Sequence, residues 1–156
     1  MSLFLGQPSG LKASDIMVSP VWTVHPDTPV SAVVELFQAH RIKGAPVVDG
    51  EGDLVGMVTE EDIVFGQMGF SDHELAGGAG EKDPSHDARP AREIMTHHPI
   101  AADETTPAEE ICRLMWQLRI HRIPILRAGK VTGIVSTIDI CRLLVEGKVC
   151  LMPLEE

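Results

Sequence analysis

Positive charge is scarce in this chain. Thirteen Lys and Arg stand against 23 Asp and Glu, giving a formal net charge of −10 over 156 residues. Nucleic acids and anionic membrane surfaces are held chiefly by a surplus of Lys and Arg, so neither is an expected partner, and any bound phosphate must meet a local basic cluster. Cysteine is scarce as well. Cys112, Cys141 and Cys150 form no CxxC pair, and an odd count without a secretory leader reads as reduced thiols in a cytosol. The short apolar run Leu3-Phe4-Leu5 has no basic residues before it, unlike a signal peptide. No stretch reaches the ~18 consecutive apolar residues of a membrane span. A soluble, cytoplasmic chain is the expectation.

Catalytic signatures are also missing. No Ser or Cys stands in a motif that supplies an oriented base, and no glycine-rich phosphate loop of the Walker type is present. His25, His97 and His98 have no Cys or acidic residue at metal-ligand spacing, so no metal is expected. The chain reads as no enzyme. With 44% hydrophobic and 23% charged residues it can nonetheless bury a core, either as one domain or as two small halves.

What the chain does have is a duplication. Ser14-Asp15-Ile16-Met17 matches Arg92-Glu93-Ile94-Met95, and Met17 and Met95 stand 78 residues apart, as do Pro29 and Pro107, and Pro46 and Pro124. The offset falls by one in a turn, so that Gly56-Met57-Val58-Thr59-Glu60-Glu61-Asp62 matches Gly133-Ile134-Val135-Ser136-Thr137-Ile138-Asp139. A slip confined to a turn marks a repeated folding unit, because loops absorb length changes that strands and helices cannot.

Each copy predicts β-α-β-β-α, an α+β class, with a short helix at 12–17 or 92–95 leading in. Val21 to Val24 reads as a strand. Thr28-Pro29 and Thr106-Pro107 read as an N-cap hydroxyl followed by Pro at the first helical position, with Glu109 completing a capping box in the second copy. The helix faces are Val33, Leu36, Phe37, His40 and Ile111, Leu114, Met115, Leu118, at i, i+3, i+4, i+7 spacing. Strands 45–48 and 54–58 flank a Gly-rich turn; strands 123–126 and 131–135 flank Ala128-Gly129-Lys130. The last helix should carry Ile63 and Val64, or Ile140, Leu143 and Leu144, inward. Residues 12–66 and 91–146 are thus the repeats, 67–90 a Gly/Asp/Pro-rich linker in which Ser71-Asp72-His73-Glu74 could cap a helical turn, and 1–11 and 147–156 tails.

The order Ile-Met, Thr-Pro, helix, apolar-Pro-Val-Val, Gly-hydrophobic-x-hydrophobic-Ser/Thr-x-x-Asp, occurring twice, resembles the cystathionine β-synthase (CBS) domain in the tandem pair called a Bateman module. That resemblance implies two repeats packed through their sheets with pseudo-two-fold symmetry, with clefts between them for AMP, ADP, ATP or S-adenosylmethionine and no further cofactor. It also implies a homodimer and an effector protein on another chain. At Lys43 in copy one, and at His121 and Arg122 in copy two, the family often contacts phosphates; copy one has Gly44 opposite Arg122. Thr23 stands where the family often offers the ligand a hydroxyl, and its counterpart is Ala101.

Residue chemistry gives part of the same site independently. Thr59 and Ser136 stand at strand-to-helix junctions, where free N–H groups and the helix dipole favour an anion or polar oxygen. Asp62 and Asp139, one turn in, can accept from two adjacent ribose hydroxyls. Ala45-Pro46 and Ile123-Pro124 offer a purine small apolar surface and backbone groups. Ser/Thr-x-x-Asp is also a plain capping pattern, which leaves two readings open. One is a regulatory sensor of an adenosine-containing ligand. The other is a ligand-free oligomerisation scaffold, which has no need of either Asp.

Overall fold

The computed structural model describes residues 10–67 and 88–148. Its elements run α1 (Ala13–Ile16), α2 (Val30–His40), β1 (Gly44–Val48), β2 (Leu54–Thr59) and α3 (Glu60–Gln67), then β3 (Thr96–His97), β4 (Ala102–Asp103), α4 (Ala108–Leu118), β5 (Arg122–Arg127), β6 (Lys130–Ser136) and α5 (Thr137–Val145). A 3-10 turn at Ala91–Glu93 precedes β3. The expected α+β class and the two repeats are both present. The linker residues 68–87, including Ser71-Asp72-His73-Glu74, lie outside the described residues.

The chain divides into two compact units, and they do not coincide with the sequence repeats. One unit is the contiguous stretch Trp22–Pro99; the other joins Met1–Val21 to Ile100–Glu156. In the contiguous unit, β1 pairs antiparallel with β2, and β2 with β3. Val24, expected to end a strand, makes only an isolated parallel bridge to Val47. The core is Val30, Val33 and Phe37 of α2, Val47 and Val58 of the sheet, and Ile63, closed from the far end of the unit by Ala91 and Met95. Backbone bonds tie that far end in: Val30 N donates to Arg89 O, and Ala91 N to Thr28 O, both at 2.8 Å.

The other unit repeats this plan with the complementary leader. There β4 pairs parallel with β5, and β5 antiparallel with β6. Val18 bridges Ile134 at the free side of β6, Ala13 N donates to Thr106 O at 2.8 Å, and Ala108 N to Leu11 O at 2.9 Å. Ala13 and Ile16 of α1 join the core of Ile111, Met115, Ile123, Ile125, Val135 and Leu143. The segment leading into each repeat therefore completes the sheet and core of the unit built from the other repeat.

Several local expectations change. The N-caps of α2 and α4 are Pro29 and Pro107, with no side-chain cap; Thr106 Oγ1 accepts from Asp103 N at 3.1 Å. His40 and Leu118 do not close buried stripes: Leu118 is 47% exposed, and His40 is exposed and stacks on Trp22 with ring centroids 3.7 Å apart. Val64, expected inward, is 48% exposed, whereas Ile63 is buried. No helix among the described residues is long and apolar enough to cross a membrane.

Candidate functional site

Each unit has a strand-to-helix junction built from a hydroxyl residue and an aspartate three positions on. At the β2–α3 junction, Asp62 Oδ2 accepts from Thr59 N and from Thr59 Oγ1, both at 2.8 Å. Asp62 N returns a 3.3 Å bond to Thr59 Oγ1. At the β6–α5 junction, Asp139 Oδ2 accepts from Ser136 N at 2.8 Å and from Ser136 Oγ at 2.6 Å. Capping is thus a real role for both carboxylates, and Asp serves where Glu is the commoner partner.

Capping engages only one oxygen of each. Among the described residues neither Oδ1 accepts a hydrogen bond, and no buried side-chain N or O atom lacks a partner. Both Oδ1 atoms therefore reach accessible space, with acceptor capacity left over. Burial, working against the bonds from Thr59, pushes the Asp62 carboxyl above its ordinary value of 3.8. Desolvation disfavours the charged form, so a donor brought to Oδ1 would stabilise that carboxylate.

The register sets the basic candidates beside these junctions. Arg122 is the cross-strand partner of Ser136, and Gly44 that of Thr59. Arg122 is half-buried and has no partner among the described residues. His121 is exposed, and its carbonyl accepts from Thr137 N at 3.0 Å. Lys43 is placed alike, with its carbonyl accepting from Glu60 N at 3.0 Å, but its ammonium lies 3.6 Å from Glu60 Oε2, which offsets its charge. Thr23 is exposed and precedes Val24, whose N donates to Pro46 O at 2.9 Å.

The expected purine surface is not open. Ala45, Pro46, Ile123 and Pro124 are buried, and Ala45 and Ile123 lie in ladders opposite Val58 and Val135. Ala45 and Ile123 pack the two cores, whereas Pro46 and Pro124 stand on the opposite faces of their strands, between core residues. The acidic turn Asp49, Glu51, Asp53 brings three carboxylates within 4.8 Å of one another. Its geometry follows from turn closure, since Asp49 Oδ1 accepts from Glu51 N and Asp53 N at 3.0 and 2.8 Å. Sequence reasoning missed the Trp22–His40 stack. The one signal for it was His40 at the end of an otherwise apolar stripe.

Known proteins share both the pattern and the fold. The model of the CBS domain matches residues 13–68 and 91–146. The inosine-5'-monophosphate dehydrogenase of Methanocaldococcus jannaschii is 28% identical over 132 residues, which are 84% of this chain and 23% of that enzyme. The chain spans about a quarter of the length of such a relative. The solved CBS domain of a CBS domain containing membrane protein from Sphaerobacter thermophilus is 30% identical with a TM-score of 0.70, over 95% of this chain and 91% of that one. The CBS domain pair of protein MJ0100, solved in complex with 5'-methylthioadenosine and S-adenosyl-L-methionine, is 26% identical with a TM-score of 0.72, over 87% and 97%. With two matched repeats that together cover most of its length, the chain belongs to the CBS domain family as a tandem pair.

Proposed function

We propose that this CBS pair is a regulatory sensor: an adenosine-containing ligand, AMP, ADP, ATP or S-adenosylmethionine, binds at a strand-to-helix junction and passes a conformational change to an effector protein. The single observation that carries this is the half-used carboxylate at each junction. Asp62 and Asp139 cap their helices with Oδ2 and keep Oδ1 open, which is the acceptor that paired ribose hydroxyls require. Support comes from the adenosine compounds bound by the CBS pair of MJ0100. A phosphate-bearing ligand favours the β6–α5 junction, where Arg122 stands opposite Ser136 and has no competing carboxylate partner. At β2–α3 the matching position is Gly44, and Lys43 is offset by Glu60. Thr23, Thr59 and Asp62 there suit a less charged adenosine ligand.

Thermal unfolding with AMP, ATP and S-adenosylmethionine tests the reading. Ligand at a hundredfold excess over its Kd adds about 2.7 kcal/mol to the native state, several degrees in melting temperature. Asp139→Ala should abolish the shift for a phosphate-bearing ligand, with Asp62→Ala as its counterpart at the other junction. A shift that survives both substitutions would remove the assignment. A second reading, the ligand-free oligomerisation scaffold, is favoured by the exposed apolar side chains Val64, Phe65, Trp116, Leu118, Ile138 and Val145 on the helices. No shift with any adenosine compound, together with a stable homodimer in sedimentation, would favour it.

A further inference from the structure

Within the Trp22–Pro99 unit, α2 and α3 frame an open groove of about 520 Å³, on a helical surface rather than in the sheet. Its apolar lining is Val34, Phe37, Ile42, Ile63 and Val64. Phe37 and Ile63 belong to the core beneath, while Val64 is 48% exposed at the opening. The volume falls in the range of small-molecule sites, which are mostly apolar with a few polar groups that orient the ligand.

Charge at the groove is limited and specific. Lys43 and Glu60 both line it and lie 3.6 Å apart, so they largely cancel. Arg41 lines it too, is exposed, and has no partner among the described residues. One positive charge therefore remains uncompensated in a chain whose overall balance is −10. The first turn of α3 carries Glu60, Glu61 and Asp62, which would repel a second negative charge on a ligand. A guanidinium fork matches a carboxylate with two parallel hydrogen bonds, a geometry a lysine does not reproduce.

We propose that the α2–α3 groove binds an organic monocarboxylate with an apolar body, its head on Arg41 and its body against Phe37, Ile42 and Val64. The groove adjoins the β2–α3 junction and shares Lys43 with its basic candidates, but the ligand class and the Arg41 contact go beyond the adenosine reading. Arg41 closes α2 in the left-handed conformation, φ 52°, where glycine is the favoured residue.

The probe is 8-anilinonaphthalene-1-sulfonate, a fluorescent apolar monoanion, titrated against the full chain and displaced by octanoate. Saturable binding, one probe per chain, is expected, with octanamide displacing it about tenfold less well because it lacks the charge. Arg41→Gln should weaken octanoate about tenfold, Arg41→Lys should recover part of the loss, and Val64→Asp should abolish binding while the melting curve stays cooperative. Arg41→Gln should leave the adenosine-induced thermal shift intact, which separates this site from the adenosine reading. Equal displacement by octanamide, or no effect of Arg41→Gln, would overturn the proposal. So would displacement of the probe by AMP. If octanoate does not bind and Val64→Asp turns a sedimenting dimer into a monomer, the groove belongs to a second copy of the chain.

Discussion

Two residues, Asp62 and Gly133, show how much a single position can carry in this fold. Asp62 is a capping residue and, in our proposal, a ligand residue, and these roles separate with pH. Burial raises its carboxyl above 3.8, so the folded state binds more protons than the unfolded chain between 3.8 and the raised value. The stability that protonation gives is fully present below the unfolded value and is lost as pH rises through the folded one. At pH 7 the ionised carboxylate thus bears a burial cost that an amide would not. Asp62→Asn keeps an acceptor for Thr59 N, so urea unfolding at pH 7 should find it at least as stable as the parent, an advantage that vanishes near pH 3. Its ligand-induced thermal shift at that junction should nevertheless be lost. Gly133 makes a purely steric case. A Cβ there would lie 2.4 Å from Met17 Sδ, 2.9 Å from its Cγ and 3.1 Å from its Cβ. Gly133→Ala should cost about 1–3 kcal/mol in urea unfolding, and adding Met17→Ala should recover part of that loss, a non-additive cycle that marks direct contact. The repeat was legible as Ile-Met and Gly-hydrophobic, but nothing in the string says that the methionine of one copy lies on the glycine of the other.

At the scale of elements, sequence periodicity was a good guide wherever a residue packs against its own repeat. The stripes put Val33, Phe37, Ile111 and Met115 in the cores, where they are found. They failed at stripe ends: His40 lies past the last core contact, and Leu118 stands one residue before the left-handed Arg119 that stops α4. Periodicity measures an angle around a helix and says nothing of where the partner surface runs out. The caps of α2 and α4 were displaced by one residue because the prolines stand outside the helices, and Thr106 closes its own turn. At the junctions, Ser/Thr-x-x-Asp signalled both cap and candidate site, and only coordinates could show that one oxygen serves the first and leaves the other open. Hairpin chemistry allows a prediction here. β5 and β6 are joined by Ala128 and Gly129, both with positive φ, 48° and 78°, between the paired Arg127 and Lys130. A two-residue loop of this kind favours Asn at its first position, since alanine in the left-handed region costs roughly 1 kcal/mol. Ala128→Asn should raise stability by about 0.5–1 kcal/mol in denaturant unfolding, with no change in ligand response.

For the whole molecule, the exchange of leaders decides what can fold by itself. A sequence reader places a boundary in the linker and obtains a first repeat ending near residue 66. Self-similarity shows which residues are alike, but not which unit they join. The contiguous unit is Trp22–Pro99, and its sheet takes β3, Thr96–His97, as the partner of Gly56 and Met57. Its core takes Ala91 and Met95, both at most 9% exposed. Arg92 adds an ion pair to Asp27, and Arg89 donates to the Gly66 carbonyl at 2.6 Å, so the segment after the linker is anchored on both sides of α2 and α3. A fragment of residues 10–67 lacks all of this and brings α1, whose apolar residues Ala13 and Ile16 belong to the other unit's core. Burial of Met95 alone contributes about 1.5–3 kcal/mol, a large part of the few kcal/mol that a domain of this size has to lose. Fragment 22–99 should therefore unfold cooperatively in urea with dispersed amide resonances, and fragment 10–67 should not. If 10–67 folds as well as 22–99, the leader contacts are incidental and the repeat, not the exchanged unit, is the folding unit. If only 22–99 folds, Met95→Ala within it should lower its urea midpoint, which places the dependence on the exchanged leader rather than on fragment length.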